Sequence, residues 1–213
     1  MLTLPQATHV NKKLPKEKFY QKLSVSAELK RAFVEQIKTI TWRYKIAPTT
    51  MNLAPGKQVS EIEVFEVQLK ADVLDDAVLR LIDQGVPYHI LFFLEYDGKI
   101  QAWTAYKEIV NGKVMIKSNA YYHTEWMARE SLPLKLDGLD LDAVWENLVT
   151  QVGGIVIEDG NSLVEQIADN VQKAKLEKEI ARLEKMARNE KQPKKKFEIV
   201  QRIQRLRGGN RNG

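Results

Sequence analysis

The chain has 213 residues, 44% hydrophobic and 29% charged, enough for one domain with a real core and an appendage. It has no cysteine, which excludes a disulfide framework, a thiolate nucleophile and a Cys-based zinc site, and which fits a reducing compartment. The net charge of +5 is uneven: from Asn161 onward about 14 Lys+Arg stand against about 7 Asp+Glu, so the positive potential belongs to the last third and points to a polyanion or an acidic protein partner.

The residues before Val25 carry several lysines and turn breakers, and 1–23 reads as an extended arm. It has no long apolar core and no small-residue cleavage site, so it is not read as a secretory signal. The longest apolar run, 90–94, is far short of the ~20 residues of a membrane span. The expectation is a cytosolic protein with no membrane contact. Ser26 can cap a helix to about Lys38, with Leu29, Phe33 and Ile37 on one stripe. The period then changes to that of a strand: Ile40, Trp42, Tyr44 and Ile46 alternate with polar neighbours. Residues 47–58 contain Pro48, Pro55 and Gly56 and read as a loop.

Val59 to Leu69 is the next strand. Phe65, Val67 and Leu69 share one face, and Ile62, Val64, Glu66, Gln68 and Lys70 share the other. Asp72 opens a helix that Gly85 stops, and Tyr88 to Tyr96 is apolar on both faces, which suits a central strand. The pairs Asp97-Gly98 and Asn111-Gly112 are hairpin turn signals, predicting a three-stranded antiparallel meander over 88–124. A helix opened by Asp140 or Asp142 spans about 139–152, ended by Gly153-Gly154.

Ser162 starts a long helix in which Leu176, Ile180, Leu183 and Ala187 keep a seam spacing. Pro193 breaks it amid Lys191, Lys194, Lys195 and Lys196, and a second helix follows with Ile199, Ile203 and Leu206. Two seams joined by a breaker predict an antiparallel helical hairpin. The fold class is therefore α+β, a mixed sheet covered by helices with a C-terminal helical hairpin. The expected parts are an arm 1–23, a globular domain 24–158, a basic hairpin 161–207 and a disordered tail 208–213.

Four constellations bear on chemistry. Glu66, Gln68 and Lys70 share a strand face. A carboxylate, an amide and a lysine so placed can hold Mg2+ or Mn2+ and activate water. Gln68-Leu69-Lys70 resembles the glutamine variant of PD-(D/E)xK nucleases, but no Pro-Asp motif precedes it, so Glu61 or Glu63 would have to supply the missing acid. Tyr121, His123 and Glu125 share a face if the strand persists, and His123 with Glu125 could form an acid–base pair, against the plainer reading of a satisfied histidine at a strand end. The loop over 45–57, with Thr49, Thr50 and Asn52, is polar enough for a phosphate but lacks the glycines of a P-loop. The three histidines, His9, His89 and His123, are too far apart in sequence for a helical metal pair. Lys191, Lys194, Lys195 and Lys196 are the candidate phosphate contacts, with Ile180, Leu183, Ile203 and Leu206 the alternative, a seam shared with a protein.

Several segments together carry a resemblance. They are Trp42-x-Tyr44-Lys45-x-x-Pro48-x-Thr50, the run from Glu61 to Leu69, Pro87 to Phe92, Tyr122 to Trp126, Leu183-Glu184-Lys185 and Glu190-Lys191-Gln192. Over nearly the whole chain they resemble the bacterial domain-of-unknown-function family numbered 4391. The resemblance implies a small protein encoded near helicase and methyltransferase genes in restriction-type loci, and it supplies no catalytic residues. The reading at this point is a non-enzymatic accessory protein of a DNA-handling or restriction-type defence assembly. It needs no cofactor and meets a protein or nucleic acid through its hairpin. The alternative is the divergent metal-dependent nuclease. The sequence leaves the oligomeric state open.

Overall fold

Most of the longer helices begin where a polar side chain can take an unpaired backbone N–H. Ser26 Oγ accepts from Leu29 N–H at 3.1 Å, Asp75 from Ala77, and Asp140 from Ala143. Ser162 and Glu165 form a reciprocal capping box. The computed structural model describes residues 4–21, 25–111, 113–116 and 121–209. It divides into two compact units, 1–156 and 157–213.

The first unit is α+β. Its sheet runs in the order β1 (His9–Leu14), β2 (Ile37–Ile46), β3 (Ile62–Leu69), β4 (His89–Tyr96), β5 (Lys99–Thr104) and β8 (Tyr122–His123), with β9 (Met127–Ala128) also on β5. Every pairing is antiparallel except β3 with β4, which α3 (Asp76–Gly85) connects. A parallel pair needs such a crossover. On one face Phe65, Val67, Ile90, Phe92 and Leu94 pack against α1 (Glu17–Tyr20), α2 (Ala27–Gln36) and α3 through Phe19, Phe33, Leu79 and Ile82. On the other, α4 (Leu141–Gly153) sets Trp145 edge-on against His89, ring centres 4.9 Å apart.

Several expectations shift. The arm over 1–23 is not merely extended: β1 pairs with β2 and covers a backbone edge that would otherwise stand open. Residues 1–3 and 22–23 of that arm lie outside the described residues. Asp75, not Asp72, caps α3; both lie just ahead of the helix, and the nearer one reaches Ala77. The turn at Asp97-Gly98 has both residues in the left-handed region, φ 46° and 72°, as a two-residue hairpin requires.

The returning strand stops at Thr104. The chain then makes a separate two-stranded sheet, β6 (Lys107–Val110) with β7 (Lys113–Ile116), before β8 rejoins β5. Lys107 leads this excursion because its ammonium is buried on the Asp83 carboxylate and the Tyr88 carbonyl. Gly112 and residues 117–120, within the expected meander over 88–124, lie outside the described residues.

The faces of β2 also differ from simple alternation. The register shifts between Trp42 and Tyr44: Trp42 opposes Phe65, whereas Tyr44 opposes Val64. Trp42 and Tyr44 thus lie on opposite faces of the sheet, although two residues apart. One extra residue in a strand has this effect.

The second unit is α5 (Leu163–Asn189) followed by α6 (Pro193–Gly209). Gly208 and Gly209, expected in a disordered tail, close α6, and 210–213 lie outside the described residues.

Candidate functional site

The hairpin turns its apolar seam inward. Leu183, Ala187 and Ile203 are buried, with Ile180, Ile199 and Leu206 half-buried beside them. Ion pairs cross between the helices: Arg202 Nη2 lies 3.3 Å from Glu179 and Arg207 Nη2 lies 2.6 Å from Glu184. Arg182 also grips Glu179 from within α5, at 2.9 and 3.0 Å, and these hydrogen bonds hold the Glu179 carboxyl below its ordinary value. Lys191, Lys194, Lys195 and Lys196 are all exposed at the turn and start of α6, and none makes an ion pair among the described residues. Over the 17 residues of α6, the only acid is Glu198.

Glu66, Gln68 and Lys70 are placed on and just past β3, whose chain then enters α3 and returns as the parallel β4. Each of the three is engaged elsewhere. Arg43, the residue at the β2 bulge, holds Glu66 with two parallel hydrogen bonds of 3.0 Å. Arg129 reaches the same carboxylate at 3.2 Å and bridges it to Glu95. Gln68 Oε1 accepts from Thr39 at 3.2 Å, and Lys70 Nζ donates to the Val34 carbonyl at the end of α2 at 2.9 Å.

Glu63 does not join this group. It lies on the Phe65 face of β3, opposite Glu66, because odd and even residues point to opposite sides. Glu61 is turned to Lys45 at 2.5 Å. The second carboxylate near Glu66 is Glu95, which opposes Gln68 across the parallel pair. Among the described residues no three His, Cys, Asp or Glu side chains gather as metal ligands.

His123 is satisfied and stacked. Its Nδ1 lies 3.1 Å from Gln101 Nε2, and its ring lies over Trp103 at 4.5 Å. Tyr121 instead directs its hydroxyl to Asp83, and Glu125 is exposed. The 45–57 loop is closed from within: Thr50 Oγ1 donates to the Lys45 carbonyl at 2.8 Å. The backbone donors that follow, at Lys57, Gln58 and Val59, are taken by the Asp142 carboxylate at 2.7, 3.0 and 2.8 Å. That anion cradle is filled by the chain itself, and Gly56 is there because a Cβ would lie 2.1 Å from Asp142 Oδ1.

Sequence reasoning missed Arg43, Arg129 and Glu95, and it missed the buried Lys107–Asp83–Tyr121 group. The Gln68-x-Lys70 spacing drew notice to one strand, but Arg129 is 63 residues from Glu66 in the chain and no local pattern links them.

A family model described as Domain of unknown function (DUF4391) matches residues 2–208. No curated protein and no solved structure matches the chain.

Proposed function

We propose that this chain, which belongs to the family Domain of unknown function (DUF4391), is a non-enzymatic accessory protein of a DNA-handling or restriction-type defence assembly, and that its basic hairpin holds nucleic acid by the phosphates. The observation that carries the reading is the division of labour within the hairpin. The apolar seam is used to close α5 on α6, so it is not free for a partner, while Lys191, Lys194, Lys195 and Lys196 stand exposed with no carboxylate partner among the described residues. Exposed, unpaired ammonium groups at a turn and at the start of a helix with a single acid suit phosphate contact, which positions a protein on nucleic acid without reading its sequence.

The test is duplex binding across a salt series. Each neutralised phosphate releases counterions, so affinity falls steeply with salt. Replacing the four lysines by Ala should flatten the log–log slope by roughly 3 to 4 units if all four touch duplex phosphates. An unchanged affinity and slope would remove these lysines from the reading.

Cleavage by Glu66, Gln68 and Lys70 is the weaker reading. The order β3, α3, parallel β4 favours it, but the Glu66 oxygens are committed to Arg43 and Arg129. Plasmid nicking that requires Mg2+ or Mn2+ and is lost in Lys70→Ala would restore it.

A further inference from the structure

The apolar seam of α6 leaves out the one aromatic residue of that helix. Ile199, Ile203 and Leu206 form the seam; carried back by three or four residues, its spacing meets Lys196 and Lys195, not Phe197. At 3.6 residues per turn Phe197 lies roughly 150° around the helix from the middle of the seam. Its side chain is 63% exposed, and it is the only aromatic residue after Trp145. The packing of the hairpin makes little use of it.

A single exposed ring is ordinary on a protein surface. The company this one keeps is not. Lys194, Gln201, Gln204 and Arg205 all lie within about 80° of Phe197 around the helix, whereas Glu198, the only acid of α6, lies about 100° away. Lys194, Gln204 and Arg205 are exposed, and neither cation makes an ion pair among the described residues. Over roughly 17 Å of helix this face therefore carries a cation at each end, with a ring and two amides between them. The cations suit phosphates. The ring gains nothing from a phosphate and needs a flat, apolar partner. In a duplex the base faces are stacked on one another and closed to a ring on the outside. In a single strand they are open, and every base has such a face, so stacking asks for no particular sequence.

We infer, resting on the reading that the hairpin holds nucleic acid by its phosphates, that its ligand is a single strand in preference to a duplex: one unpaired base stacks on Phe197 while Lys194 and Arg205 hold the phosphates on either side.

Three probes of equal length separate the base from the phosphate: an oligothymidylate, the same strand with every base removed, and a mixed-sequence duplex. The full chain should bind oligothymidylate about five- to hundredfold more tightly than the abasic strand, the range for one stacked base, and more tightly than the duplex. Phe197→Ala should lose that advantage while leaving the affinities for the abasic strand and the duplex, and the salt slope, as they were, because no charge is removed. Phe197→Trp should keep it. Both variants should melt with the wild type, since an exposed side chain outside the seam contributes little to stability. Equal wild-type affinity for oligothymidylate and abasic strand, duplex binding as tight as oligothymidylate binding, or a Phe197→Ala variant that binds oligothymidylate like the wild type would each overturn the inference. The variant with Lys191, Lys194, Lys195 and Lys196 replaced by Ala tells this failure from that of the underlying reading. If it weakens on all three probes while Phe197→Ala changes nothing, the phosphate contacts stand and the stacked base falls; if the wild type binds no probe, both fall.

Discussion

Lys107 in the first unit and Arg202 in the hairpin each face a carboxylate, and the two pairs have little else in common. The side chains of Lys107 and Asp83 are 2% and 4% exposed; those of Arg202 and Glu179 are 63% and 30% exposed. Around the first pair every strong polar group is spoken for: Asp83 also accepts from Tyr121, and Lys107 also donates to the Tyr88 carbonyl. Around the second, water competes for every contact. The first unit uses charge to fix where a segment of chain leaves the sheet. The hairpin keeps its charge at the surface, where it contributes little to folding and is available to a partner.

The sharpest way to break this contrast is Lys107→Ala. It would leave Asp83 buried without its cation, and removing one partner of a buried pair costs about 3–5 kcal/mol. Urea unfolding should show that loss. A loss near zero would mean that water reaches Asp83 readily, and the first unit would then handle charge much as the hairpin does.

His89 sharpens the comparison from the side of pH. It is 1% exposed, its Nε2 has no partner, and burial, helped by the nearby Lys107, lowers it from 6.5 to about 3. Between those values the unfolded chain binds the proton and the folded chain does not, so stability rises with pH across this window. It is fully present above 6.5 and is lost as pH falls toward 3, by up to about 1.4 kcal/mol per pH unit from this group. Glu63 has the opposite sign: its folded value lies above the ordinary one, so its contribution is lost as pH rises toward 8. Urea midpoints at pH 7, 6, 5 and 4 should therefore fall more steeply for the wild type than for His89→Phe. Parallel curves would show that His89 is solvated.

Much of this was legible in the sequence, and the parts that were not share a cause. Ser26, Asp140 and Ser162 announced their helices, and the seam from Ile180 to Leu206 announced the hairpin, because capping and periodicity act over a few residues. The bulge at Arg43 was hidden: Ile40, Trp42, Tyr44 and Ile46 alternate without a break, and only the pairing with β3 turns half of them over. Glu66 read as a free carboxylate for the same reason, since its partners Arg43 and Arg129 arrive by register and by the chain's return, not by spacing. Nothing in the local spacing of α3 singles out Asp83. Its burial depends on Lys107 and Tyr121 folding over it from outside the helix.

The smallest expected effect lies in the hairpin, and it has an internal order. Glu179 keeps Arg182 at 2.9 Å when Arg202 is removed, so Arg202→Ala leaves no carboxylate unpaired. Glu184 is left with only Arg188, at 3.9 Å, when Arg207 is removed. Arg207→Ala should therefore lower the melting temperature more than Arg202→Ala, with both shifts within about 3 °C, as for exposed pairs in a small unit. Raising salt should shrink the difference between the two variants, because screening weakens exposed pairs and leaves the buried seam untouched. A large, salt-independent loss in either variant would place that arginine in the hairpin's core chemistry. The hairpin's charge would then be serving its fold, as Lys107 serves the first unit, and would not be held in reserve for phosphate.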